Sequence, residues 1–187
     1  MRVLGIDPGS RIVGYGLVEV DEAAGGPAAL RYVECGVIQP RAQGSFPQRL
    51  REIAVGLREV LADLGPTEVA VESVFVQRSV GAALKLGQAR GVALLCAAEA
   101  GLPIHEYAPA RVKKAVTGNG AASKAQVQQM VRALVGLKRP PRSDAADALA
   151  VAICHAFGVG ARSRRLRPGA AVAATRSSPL TCGGGSE

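Results

Sequence analysis

The chain has 187 residues, of which 48% are hydrophobic and 20% charged. That is enough apolar material for one domain with a sizeable core, and it argues against wholesale disorder. The formal net charge of +8 suits a polyanionic partner. No window of eighteen uninterrupted apolar residues or signal-peptide pattern is present, so a cytoplasmic protein with no membrane association is expected.

The first apolar run, Val3, Leu4 and Ile6, reads as a buried strand, yet it ends on Asp7. Pro8-Gly9-Ser10 then supplies turn chemistry before a second strand that begins near Arg11. After the Gly/Pro-containing "DEAAGGPAAL", "RYVECGVIQP" reads as a third strand that closes an antiparallel meander. From Ser45, residues Leu50, Ile53, Leu57, Val60, Leu61 and Leu64 recur on one helical face, and Gly65 stops the helix. The short strand "TEVAVE" also ends on an acid, Glu72, and "SVFVQRS" follows as a loop.

"VGAALKLGQARGVALLCAAEAG" predicts a long helix whose small residues Gly81, Ala82, Ala89 and Ala93 would let another element approach, a second copy of the chain being the expectation. "PIHEYA" is a fifth strand. A short helix over Arg111–Val116, the loop "TGNGAA", a helix over Ser123–Val135, the breaker "KRPPRS" and a final helix from Ser143 to about Phe157 complete the fold. Ser143 is the expected N-cap. The pattern gives an α/β protein with a mixed five-stranded sheet flanked by helices. Residues 1–159 form the domain, and 160–187 read as a disordered basic tail in which five arginines stand against Glu187 alone.

Four cysteines are widely spaced and include no C-x-x-C pair, and His105 and His155 stand apart from them, so no zinc-ligand pattern is legible. Cys35, Cys96 and Cys154 are expected as reduced core residues. The carboxylates are more informative. Asp144 and Asp147 lie three residues apart in the opening turn of the last helix, on one face and directly before Ala148-Leu149-Ala150-Val151. First-turn acids often serve only the helix dipole. Together with Asp7 and Glu72, however, they make four acids near the core without matching bases, which is costly unless a cation is bound. Oxygen-only ligands suit Mg²⁺ or Mn²⁺, and two such ions roughly 3.5–4 Å apart can activate water and stabilise the leaving oxygen of a phosphodiester.

"GIDPGSRIVGYG", "VESVFV", "ALKLGQARG", "EYAPARVKKAVTGNGAASKAQVQQMV" and "SDAADALAVAICH" occur in order from Met1 to Phe157 and resemble the RuvC family of Holliday junction resolvases. The resemblance implies a ribonuclease-H-like fold, a homodimer, and Mg²⁺-dependent symmetric nicking of four-way DNA junctions during recombination and repair. It also implies the RuvA–RuvB branch-migration complex as a partner, and puts the catalytic, metal-binding acids at Asp7, Glu72, Asp144 and Asp147. Lys113 and Lys124, flanking a Gly-rich loop with Arg111 and Lys114 nearby, are expected to contact DNA. Phe75 and Arg78, in the loop after Glu72, are expected to do the same, Phe75 by stacking on a base or wedging the junction. Two other readings fit parts of the chain: "GIDPGS" also resembles the phosphate loop of actin-like ATPases and sugar kinases, and a junction-binding module could carry the acids without catalysis.

Overall fold

The computed structural model describes residues 1–21, 30–41, 44–73 and 79–165, with side chains through residue 159. Strands β1 (Arg2–Asp7), β2 (Val13–Val20), β3 (Leu30–Ile38), β4 (Glu68–Glu72) and β5 (Ile104–Tyr107) form one sheet in the order β3-β2-β1-β4-β5. β1 pairs antiparallel with β2 and parallel with β4, so both crossovers lie on the β4 side. The ribonuclease-H-like mixed sheet expected from the sequence is the one observed.

Strand alternation sorts side chains onto two faces. Leu4, Ile6, Val13, Leu17, Val69 and Val71 meet helices α1 (Phe46–Leu64) and α2 (Val80–Glu99) on one side. On the other, Val3, Val18, Ala70 and Tyr107 meet α3 (Pro109–Thr117), α4 (Lys124–Leu134) and α5 (Ser143–Arg165). Helix α5 lies against β1 and β2, with α3 and α4 packed on it in turn. Sandwiched in this way, it is buried from Ala148 to Ala156, and every side chain in that run but His155 is apolar.

Three glycines let α5 come so close. A Cβ on Gly5 would collide with the Ala148 carbonyl, one on Gly14 with the Asp144 carbonyl, and one on Gly16 with the Leu149 side chain. The helix backbone therefore rests directly on the pleat of β1 and β2.

Several element ends depart from expectation. The Ala146 N–H donates to the Arg142 carbonyl at 2.8 Å, so Ser143 is already the first helical residue and Arg142 holds the capping position. The helix also continues past Phe157 to Arg165. Ala89 and Ala93, expected to face a second copy, are buried in the chain's own core. The surface of α2 presents instead Val80, Leu84 and Leu95, with open space over Gly87 and Gly91. By length and composition α2 could cross a membrane, but its inner face packs on α1 and the sheet. Cys96 and Cys154 are buried free thiols and Cys35 is a half-buried one.

The close seat of α5 makes Gly14→Ala a sensitive test. Urea unfolding should show a loss of about 2–3 kcal/mol, because backbone faces backbone and cannot give way as a side chain would. A loss below about 0.5 kcal/mol, the range of ordinary surface changes, would mean that the helix is not held there.

Candidate active site

The same alternation that builds the core builds the site. Asp7 follows Val3 and Gly5 onto the α5 face of β1, and Glu72 follows Ala70 onto that face of β4. Ile6 pairs with Val71 in the parallel register, so the two acids end adjacent strands side by side. Asp7 also pairs with Gly14, and the Asp144 carbonyl rests over Gly14. One turn on, Asp147 faces the same corner. Four carboxylates from β1, β4 and α5 thus gather at one end of the sheet.

Their electrostatics record the crowding. Burial, then Glu72, Asp147 and Asp144, push the Asp7 carboxyl up to about 7, against a smaller opposing pull from Lys124. Glu72 is likewise raised, first by burial and then by Asp147, while Lys124 and Lys113 draw it down. The Lys124 ammonium donates to Asp147 Oδ2 at 2.9 Å. That contact raises the Lys124 pKa, with Asp7 and Asp144 adding to it.

Lys124 reaches Asp147 through a tightly organised loop. Gly118, at φ +79°, ends α3. Thr117 Oγ1 accepts from the Asn119 N–H at 3.1 Å, and Asn119 Oδ1 accepts from the Ala121 N–H at 2.9 Å. Ser123 and Gln126 then cap α4 reciprocally. Lys124 is the first residue of α4, where a cation opposes the helix dipole, so its placement serves the acids rather than its own helix.

The donor set is all oxygen and carries more negative charge than Lys113 and Lys124 offset, which fits hard divalent cations. Among the described residues these acids do not converge within 4.8 Å in the manner of a closed metal cage. One of them, Asp147, is already paired with Lys124.

Of the other expected DNA contacts, Lys113 lies within electrostatic reach of Glu72, and Lys114 is on the exposed side of α3. Arg111 is not brought to the acids. Its guanidinium lies 4.9 Å from the Tyr107 ring and near Gly158, toward the other end of α5, because Arg111, two residues before Lys113, is turned to another face of α3. Phe75 and Arg78 fall outside the described residues. Sequence reading missed the meeting of His105, His155 and Glu68. Only the shared parity of Glu68 with Ala70, and of His105 with Tyr107, signalled that they share a face.

A ribonuclease-H-like sheet with carboxylates at the ends of its central parallel strands and on the helix across them defines a nuclease-type α/β protein. Residues 3–155 match the family described as crossover junction endodeoxyribonuclease RuvC. The relative of that name from Trichlorobacter lovleyi is 51% identical over 176 residues, 94% of each chain. The one from Halorhodospira halophila is 52% identical over 155 residues, 83% of this chain and 89% of that one. The Thermus thermophilus RuvC structure aligns with a TM-score of 0.75 at 42% identity, covering 88% of this chain and 97% of that one. T. thermophilus RuvC in complex with a Holliday junction substrate aligns at 0.79 and 40% identity, covering 87% and 97%. This chain belongs to the RuvC family.

The raised Asp7 carboxyl has a measurable consequence for stability. Folded Asp7 keeps its proton to about pH 7, whereas unfolded Asp7 releases it near 3.8, so its contribution falls as pH rises through that window and stays low above it. In chelator, Asp7→Asn should therefore gain on the parent protein by about 4 kcal/mol between pH 4 and pH 8. A pH-independent difference in thermal or urea unfolding would contradict the crowded site.

Proposed function

We propose that this chain resolves four-way DNA junctions by hydrolysing one phosphodiester in each of two opposed strands. The observation that carries this reading is the gathering of Asp7, Glu72, Asp144 and Asp147 at one sheet end beside Lys113 and Lys124, in a chain of the RuvC family. A relative 40% identical over most of its length has been captured with a Holliday junction, which supports the same substrate here.

The four acids would hold Mg²⁺, two ions per site, with Mn²⁺ able to substitute. Such ions lower the pKa of attacking water and neutralise charge on the phosphodiester. Asp7, set deepest between β1 and β4, fixes the floor of the site, and Asp144 and Asp147 close it from α5. Lys113 and Lys124 border the acids, where they can bind phosphates on either side of the scissile bond. Lys124 can exchange Asp147 for a phosphate, because its stem is exposed while the carboxylate is mostly covered. Phe75, three residues beyond Glu72 in the sequence, would offer its ring to an unstacked base, with Arg78 as a further DNA contact.

Two opposed nicks by identical sites call for a two-fold dimer. The stripe Val80, Leu84, Gly87, Gly91 and Leu95 on α2 recurs at helical spacing, is exposed, and lies on the face away from the chain's own core. A second copy fits there, its close approach allowed by the two glycines. This replaces the assignment of Ala89 and Ala93 to the interface.

Two measurements test the reading. Asp7→Asn should abolish junction nicking in Mg²⁺ while retaining junction binding within about threefold, since the basic surface is untouched. Lys124→Ala should weaken binding and reduce its salt dependence by about one phosphate contact. Near-normal nicking by Asp7→Asn would sink the metal-site assignment. Separately, Leu84→Glu should sediment as a monomer, and a dimer as tight as the parent's would move the interface off α2.

A further inference from the structure

The chain has two histidines, and the fold brings both onto one carboxylate. Glu68 opens β4, His105 lies in β5 and His155 in α5, all on the α5 side of the sheet. His155 Nε2 stands 2.8 Å and His105 Nε2 3.0 Å from Glu68 Oε2, and the three donor atoms lie within 4.8 Å of one another. Four residues along β4, about 13 Å, separate Glu68 from Glu72. Eleven residues along α5, about 16 Å, separate His155 from Asp144. The cluster is therefore distinct from the acids of the nuclease site.

Each ligand is held in a manner that suits a metal. The His155 ring is 2% exposed, and its Nδ1 is 2.6 Å from the Tyr107 hydroxyl, which aims Nε2 at Glu68. Tyr107 is itself steadied by the Arg111 guanidinium over its ring. If Nδ1 donates to Tyr107, the Nε2 lone pair faces the carboxylate, and only a proton or a cation between them relieves the repulsion. A second-layer partner on the distal imidazole nitrogen is the usual support of a metal-bound histidine. His105 Nε2 is buried and makes no hydrogen bond, since at 3.0 Å its direction misses the geometry Glu68 would need. The two rings lie 4.3 Å apart at 32°, converging rather than stacking flat. Tetrahedral zinc with bonds of about 2.0–2.1 Å sets its ligands about 3.3 Å apart, so each imidazole nitrogen need open from Glu68 by only a few tenths of an ångström. The His105 and Glu68 side chains are partly exposed, which leaves an entry path from solvent.

We propose that Glu68, His105 and His155 bind one divalent transition-metal ion of the Zn²⁺ class. Two imidazoles and one carboxylate favour such an ion over Mg²⁺, which the oxygen-only acids take. Binding there ties β4 and β5 to the second half of α5, the helix whose first turn carries Asp144 and Asp147.

The test uses the metal-stripped full-length protein in Mg²⁺, titrated with Zn²⁺ alone while long-range ¹H–¹⁵N spectra follow the imidazole nitrogens. With two histidines in the chain the spectrum reads this cluster and nothing else. Both Nε2 resonances should move together to a one-to-one endpoint, and the melting temperature should rise. Glu68→Gln and His105→Ala should each weaken Zn²⁺ binding about tenfold or more, and the half-exposed His105 position keeps the test open if Glu68→Gln folds poorly. Imidazole signals that stay in place under excess Zn²⁺, or unchanged affinity in the folded variant, would overturn the site.

Discussion

The seat of α5 on the glycines of β1 and β2 is the contact on which the rest depends. Gly5, Gly14 and Gly16 have no side chain to hold the helix away, so the Ala148 and Asp144 carbonyls and the Leu149 side chain occupy the space where their Cβ atoms would stand. That brings the first turn of α5 level with the strand ends, and Asp144 and Asp147 meet Asp7 and Glu72. It also leaves the outer side of α5 to be covered by α3 and α4, which is how Lys124 comes to Asp147. Remove the close approach and the carboxylates no longer share a corner.

A site built in this way works against the stability of the protein that carries it. Burial and three neighbouring acids keep Asp7 half-protonated near neutrality, and Lys124 sits at a helix start where its charge is disfavoured. The crowding of Asp7 costs folding free energy until cations arrive, whereas the acids that raise the Lys124 pKa offset the unfavourable helix start and hold its ammonium in place. The rest of the chain compensates through a core that is nearly closed around α5, with small alanines allowing three layers to pack on it.

Much of this was legible in the sequence because the acids interrupt apolar patterns. Asp7 and Glu72 end buried strands, and Asp144 and Asp147, although first-turn acids can serve the helix dipole alone, stand directly before the apolar run Ala148-Leu149-Ala150-Val151. The face of α1 was read correctly for the related reason that six aliphatics repeat at helical spacing. What was not legible depended on rotation about a helix or on pairs distant in sequence. Small residues occur all round α2, so composition could not say that Ala89 and Ala93 turn inward while Leu84 and Gly91 turn out. Arg111 and Lys113 are two residues apart on α3 and point to different neighbours. His105 and His155 meet only because β5 and α5 lie on the same side of β4, which no local pattern states. The likeness of "GIDPGS" to the phosphate loop of sugar kinases reflects a shared strand and turn, and membership of the RuvC family assigns it here to a nuclease fold.

Anomalous diffraction from crystals of this protein soaked in Mn²⁺ tests most directly whether α5 and the two strand ends together create one cation site. Manganese peaks are expected, bounded by the carboxylate oxygens of Asp7, Glu72, Asp144 and Asp147, at about the 2.0–2.3 Å typical of hard divalent ions on oxygen. Manganese absent from that corner under saturating soak, with α5 still seated on Gly14, would contradict it.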